Sequence, residues 1–369
     1  MANIFRAFIR SGYDSVTFGL SNPDKIGFMN IRPHNTQVKP FHRHEPPTPP
    51  KDPGRSEPSD KLDPPVNQDR LVHDFLELVT VRGETRNERL IAEKIKSELG
   101  EMGLQATEDD AGSKINGNTG NLLVNIAGNV EGAPSLLFAA HMDTVPLAVG
   151  SKPVIEDGYI KSDGTTALGG DNRAGVAEIL EAVREIKEHN LPHGDLQLLF
   201  TVAEEGGLLG ARALDPSLLT ADYGFAVDVF EANQLYTQGR HLLANGQEPI
   251  GEEHFTPEGV QAAKEAARNA PVVPPSHLRL SDDEKKIMNL AADSMQDLGF
   301  EPEFKRIEWA GTDAIALRRH GMNAISLGAG EDRPHSREER VEIADLVRST
   351  QLIRSIISNA AEQAGGDQQ

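Results

Sequence analysis

The sequence predicts an α/β protein: a mostly parallel mixed sheet flanked by helices. Three observations carry that expectation. Several short runs are apolar throughout rather than on alternate residues, as in "SLLFAAHMD", "DLQLLFTVAEE" and "DYGFAVDV". Strands with that pattern are buried on both faces, which is the situation of a parallel sheet covered by helices. Between the runs lie longer stretches with helical periodicity, and the residues able to do chemistry collect where the apolar runs end.

Regular structure is expected to begin near Asp69. "DRLVHDFLELVTV" and "NERLIAEKIKSELGEMG" read as two amphipathic helices, the second with Ile91, Ile95 and Leu99 on one face and glycines 100 and 103 beyond it. The strand-like runs follow: "NLLVNIAG", the three quoted above and later "NAISLGAG". "NRAGVAEILEAVREIKEH" is a helix with Val176, Leu180 and Val183 on one side; "SDDEKKIMNLAADSMQDLG" and "EIADLVRSTQLIRSIISNAAEQ" are two more. Two segments break the pattern. Residues 1–66 end in a stretch dense in proline and charge, which cannot bury enough apolar surface to offset its ordering entropy, and are expected to be disordered. Residues 231–280 show little alternation and are expected to hold at most a weak strand or two and an Ala-rich helix at 257–269. The catalytic unit is therefore expected in residues 67–230 and 281–362, with 363–369 a disordered tail.

Bulk properties exclude several functions. The 369-residue chain carries a formal charge of −20, which opposes binding to nucleic acid or to anionic membranes. No apolar run is long enough for a membrane span. The N-terminus has two early arginines but no apolar core of the secretory type, so a cytoplasmic location is expected. Without a single cysteine there is no disulfide, thiolate ligand or thiol nucleophile, and any metal site must use His, Asp and Glu, which suits zinc, manganese or cobalt.

In open α/β sheets ligands bind beyond the carboxyl ends of the strands. Here "LLFAA" runs into His141 and Asp143, "LLFTVA" into Glu204 and Glu205, and "YGFAV" into Asp228, while "AISLGAGEDRP" continues to His335. Between the first two lies "DGTTALGGDNRAG", where Gly169 and Gly170 turn the chain and Asp171 precedes a helix. Any one of these has an ordinary reading as a hydrogen-bonded histidine, a helix cap or a wet surface. Together, two histidines and several carboxylates without a matching cluster of Lys or Arg call for cations, and a carboxylate between two divalent ions would bridge both. His42 and His44 fit a solvated tail, His241 and His320 match no motif, and Ser336 has no triad around it.

"AAHMDTVP", "DGTTALGGDNRAG", "TVAEEGGLLGARAL", "FAVDV", "WAGTDAIALRRHGMNAISLGAG" and "HSREERVEIADL" resemble, in order and spacing, the M20 co-catalytic zinc metallopeptidases, most of all their peptidase T (tripeptide aminopeptidase) branch. The resemblance spans about residues 69–230 and 281–357. It implies a zinc-peptidase/phosphorylase-like catalytic domain with two Zn2+, or Co2+ or Mn2+ in their place. By position, His141, Asp171 and Asp228 would hold one ion and Asp171, Glu205 and His335 the other. Asp143 would orient His141 from behind, and a cis peptide would link Asp171 to Asn172. Glu204 would be the general base toward a metal-bridging water. Asn172, Arg173 and Asp313 are candidate substrate-binding residues. The implied activity is amide hydrolysis in short peptides, as a di- or tripeptide aminopeptidase, with short peptides as partners and neither nucleic acid nor membrane.

One departure stands out. Members of the family insert a lid domain between the motifs of Asp228 and Asp313, carrying a histidine that contacts the substrate carbonyl and often the dimer interface. Only residues 231–280 are available here, and the "HAG"-type motif of the lid is missing. The lid is thus expected to be truncated or replaced, which argues against a lid-mediated dimer. Two alternatives stay open at this level. One is an amidohydrolase of the same family, an N-acyl amino-acid deacylase or carboxypeptidase. The other is a non-catalytic metal-binding relic with an interaction role.

Overall fold

The computed structural model describes residues 64–228, 231–238, 281–307 and 312–366, all within one compact unit, Pro47–Gln369. Of the leader expected to be disordered over 1–66, residues 1–63 lie outside the described residues, as do the Ala-rich helix at 257–269, His42, His44 and His241. Residues 64–66 are instead ordered, with Val66 buried in the core and Pro64 O accepting from Arg354.

Helices α1 (Gln68–Thr80) and α2 (Arg89–Glu101) open the chain where the periodicity places them. Then come β1 (Thr107–Glu108), the short helix α3 (Ala111–Ile115), β2 (Leu122–Ile126) and β3 (Leu136–His141). A hairpin of β4 (Pro153–Glu156) and β5 (Tyr159–Ser162) precedes α4 (Gly170–His189). β6 (Leu196–Thr201), α5 (Leu209–Ala213), β7 (Tyr223–Val227) and β8 (Gln234–Gln238) follow. The C-terminal part holds α6 (Asp282–Asp297), β9 (Glu303–Ile307), α7 (Asp313–Arg319), β10 (Asn323–Leu327), β11 (Glu331–Asp332), β12 (Arg340–Glu342) and α8 (Ile343–Gly366).

Among the described residues the main sheet runs β1-β2-β6-β3-β7-β10-β8-β9. Its centre is parallel: β3 pairs with β6 and β7, and β7 with β10, while β2 and β8 are antiparallel to their neighbours β6 and β10. This is the predicted mostly parallel mixed sheet. A second sheet, β11-β12-β5-β4, stands apart from it.

The unbroken apolar runs are explained by two cores, one on each face. Leu136, Phe138 and Ala140 of β3 join the larger core with α1, α4 and α8, and the Phe138 and Phe225 rings stack with centroids 5.2 Å apart. Leu137 and Ala139 face a smaller core with Leu199, Ala226, Ala314 and Leu317, on the side of α7. Both sides of each strand therefore bury apolar area, at roughly 25 cal/mol per Å2. No helix among the described residues is long and apolar enough to cross a membrane.

Within the segment 231–280, expected to hold at most a weak strand or two, residues 234–238 form β8, which belongs to the main sheet, with Leu235 paired to Leu327 and wholly buried. One buried apolar residue is enough to seat this short strand between β10 and β9. Helix α8 continues to Gly366, four residues past the expected end of the catalytic unit at residue 362. Ala360 and Ala361 in its last turns are buried, and α8 packs along α4 and α6.

Candidate functional site

The strand register assembles the site. His141, last residue of β3, pairs with Thr201, last of β6, and Val227 pairs with Leu327, so four parallel strands end at nearly one level. The residues just beyond those ends converge. His141 Nε2 lies 3.0 Å from Asp171 Oδ1, 3.6 Å from Asp228 Oδ1 and 3.9 Å from Glu204 Oε2. His335 Nε2 lies 3.0 Å from Asp171 Oδ2 and touches Glu205 Oε1. Asp171 thus presents one oxygen to each histidine. All the candidate metal ligands and the candidate base are brought together.

Asp171 is placed by the start of α4. Gly169 turns with φ of 79°, the Asp171–Asn172 peptide is cis, and the buried Glu339 accepts the backbone N–H groups of Gly169 and Asp171 at 2.8 and 3.0 Å. Gly175 lets this helix end approach β7, since a Cβ there would sit 2.3 Å from the Val227 carbonyl oxygen. Glu339 was not identified from the sequence. Its only signal is its place four residues after His335, and no local pattern announces a contact with a loop so distant in the chain.

The loop after β6 is held by two buried carboxylates. Asp143 accepts the backbone N–H of Glu204 at 2.9 Å and of Glu205 at 3.2 Å, together with the Thr85 hydroxyl at 2.8 Å. Glu88, at the N-terminus of α2, accepts Ala203 N–H at 3.0 Å. Three consecutive peptide groups are therefore fixed, and Ala203 adopts a φ of 52°. Gly207, with φ of 100°, completes the turn into α5. Asp143 also stands behind His141, whose Nδ1 is 2.9 Å from the Asp143 carbonyl and 3.3 Å from its carboxylate. That leaves Nε2 directed at Asp171, the arrangement that fixes the ring of a metal-ligating histidine.

The electrostatics follow from burial of like charges. Desolvation, with Asp228, Glu205 and Asp313 nearby, pushes Glu204 well above the ordinary glutamate range, although His141 opposes it. Burial raises Asp313 and Glu339 to about 7 each. Burial also acts to raise Asp143, but hydrogen bonds from His141, Thr85 and the backbone outweigh it and hold it low. His141 is driven well above 6.5: burial opposes its charge, and Asp228, Asp143 and Asp171 overcome that opposition.

Three candidate substrate-binding residues are not on the surface of the cleft. Asn172 is fully buried and spends its amide on Val227 O at 2.8 Å and Gly175 N at 3.0 Å. Arg173 is buried beneath the site; its Nη2 reaches only Gly83 O, at 3.5 Å, and its Nε and Nη1 have no hydrogen-bond partner. Burial lowers Arg173 to about 9, although Asp143 and Glu88 favour its charge. Asp313 caps the floor with one oxygen on the Thr201 hydroxyl. Polar residues next to a ligand in sequence, as Asn172 and Arg173 are next to Asp171, need not share its direction.

The geometry fits a metal centre. Ligand atoms of His141, Asp171 and Glu205 lie within 4.8 Å of one another, as do those of Asp171, Asp228 and Glu331. Glu331, buried at the start of β11, was also missed by sequence reading.

The model of peptidase family M20/M25/M40 matches residues 137–359, from within β3 to near the end of α8. The chain belongs to this family. Within M20 it stands with the peptidase T-like branch. It is 28% identical over 372 residues to the uncharacterized protein YqjE of Bacillus subtilis, covering 80% of this chain and 100% of that one. The fold is similar to that of the aminopeptidase PepT of Bacillus cereus, with a TM-score of 0.65, 26% identity and coverage of 80% and 99% of the two chains. A tripeptidase of Staphylococcus aureus is equally similar, with a TM-score of 0.65, 26% identity and coverage of 81% and 100%.

Proposed function

We propose that this M20 protein is a metal-dependent aminopeptidase acting on short peptides, with two divalent ions held between His141, Asp171 and Asp228 on one side and Asp171, Glu205 and His335 on the other. One observation carries the reading: the two oxygens of the buried Asp171 each face the Nε2 of a different histidine at 3.0 Å. Without a cation the oxygens of Asp171, Asp228 and Glu205 would repel one another in a site where burial strengthens that repulsion. Divalent ions bound there would polarise the scissile carbonyl and lower the pKa of the attacking water.

The chain's own residues supply the rest. Glu204, with its backbone pinned by Asp143, would take a proton from the attacking water and return it to the leaving amine. Asp143 holds His141 in orientation, and Glu339 holds the Asp171 loop. The preference for short peptides with a free amino terminus is supported by the likeness to an aminopeptidase and a tripeptidase.

Hydrolysis of di- and tripeptides by purified protein supplied with Zn2+, Co2+ or Mn2+ tests the proposal. Chelator-sensitive release of the N-terminal residue is expected, and Glu204→Gln should lower kcat by about 10^2- to 10^4-fold. Activity that survives chelation, or full activity in Glu204→Gln, refutes it. Cleavage confined to N-acylated substrates refutes the aminopeptidase assignment and leaves a deacylase.

A further inference from the structure

We infer that Glu331 is an additional carboxylate ligand of the metal centre, on the side of the ion shared by Asp171 and Asp228, and that it makes that position oxygen-rich. The inference rests on the metal-dependent reading and adds to it a residue outside the ligand set expected from sequence.

Glu331 is 3% exposed, and a carboxylate oxygen of Glu331 lies within 4.8 Å of ligand atoms of both Asp171 and Asp228. Its position is imposed by the fold. β11 pairs with β12 through Glu331 and Val341, and Glu331 lies four residues before His335. A second buried carboxylate at these strand ends, Asp313, has one oxygen held by the Thr201 hydroxyl and the other without a hydrogen-bond partner. A buried acceptor left in that state is costly unless positive charge lies nearby.

With Glu331 as a ligand, the ion beside Asp228 would meet three carboxylates and His141, whereas the ion beside Glu205 would meet two carboxylates and His335. Oxygen donors suit manganese better than an equal number of imidazoles would, so the two positions should differ in metal preference.

The test is titration of metal-free, full-length protein with Mn2+ alone, followed by the disappearance of the free-ion electron paramagnetic resonance signal, and then competition with Zn2+. In wild type two sites are expected. In Glu331→Gln one of them should weaken by about 10- to 100-fold, the range known for disturbed metal sites, while the other is unchanged. Zn2+ should then displace Mn2+ more readily from the weakened site. Glu331→Asp, which keeps the charge, should recover part of the affinity and guards against a folding defect, checked by circular dichroism. Two wild-type-like sites in a folded Glu331→Gln protein overturn the inference and leave the metal-dependent reading standing. Absence of tight Mn2+ and Zn2+ binding in the wild type overturns both.

Discussion

Glu178→Met should stabilise the protein, and increasingly so as pH rises. Glu178 lies in the middle of α4, is wholly buried, and neither carboxyl oxygen has a hydrogen-bond partner. Burial, with Asp345 nearby, raises its pKa well above 4.5. Leaving a neutral buried acid unpaired costs about 1–3 kcal/mol, which methionine, of similar length and helix propensity, avoids. A linkage contribution adds to this. Above pH 4.5 the unfolded chain releases the proton and the native chain keeps it, so native stability falls with rising pH until the folded-state pKa is reached. Within that window the slope is about 1.4 kcal/mol per pH unit. Urea denaturation at pH 5 and pH 7 reads both contributions, with Glu178→Gln as a control that removes the titration but keeps unpaired polar atoms. A Met variant whose midpoint equals wild type at both pH values, or whose advantage does not grow with pH, refutes the reasoning.

Three further outcomes are expected. Asp143→Asn should lower metal affinity about 10- to 100-fold while the fold persists, because the carboxylate orients His141 and both peptide groups of the glutamate pair; isothermal titration with Zn2+ checks it. Gly175→Ala should cost about 3 kcal/mol, seen as a lower denaturation midpoint, because the new Cβ meets Val227 O at 2.3 Å and Asn172 Oδ1 at 2.4 Å. Arg354→Met should cost about 3–5 kcal/mol in the same assay, since it strips the charge partner from Glu185 in a pair where both side chains are only 2% exposed.

Much of this molecule was legible in the chain because the physics is local. A run such as "LLFAA" can only be a strand buried on both faces, and the polar residue that follows it must emerge at the sheet's edge. His141, Glu204, Glu205 and Asp228 were singled out by that rule, and the fold brings them close together. Glu88, Glu331 and Glu339 were not, since each acts on a segment far away in sequence and looks like an ordinary surface glutamate. The direction of Asn172 and Arg173 was illegible for a related reason: proximity to a ligand along the chain says nothing about which side of the backbone a side chain takes. The strand β8 was legible only as a weak strand somewhere in 231–280, because its single deeply buried leucine gives no period to read.

Asp143 has a consequence that reaches past catalysis. It lies two residues after His141 and accepts hydrogen bonds from the peptides of Glu204 and Glu205. One carboxylate thus ties the end of β3 to the loop after β6, two segments about sixty residues apart in the chain. A change at position 143 should therefore reach both segments at once.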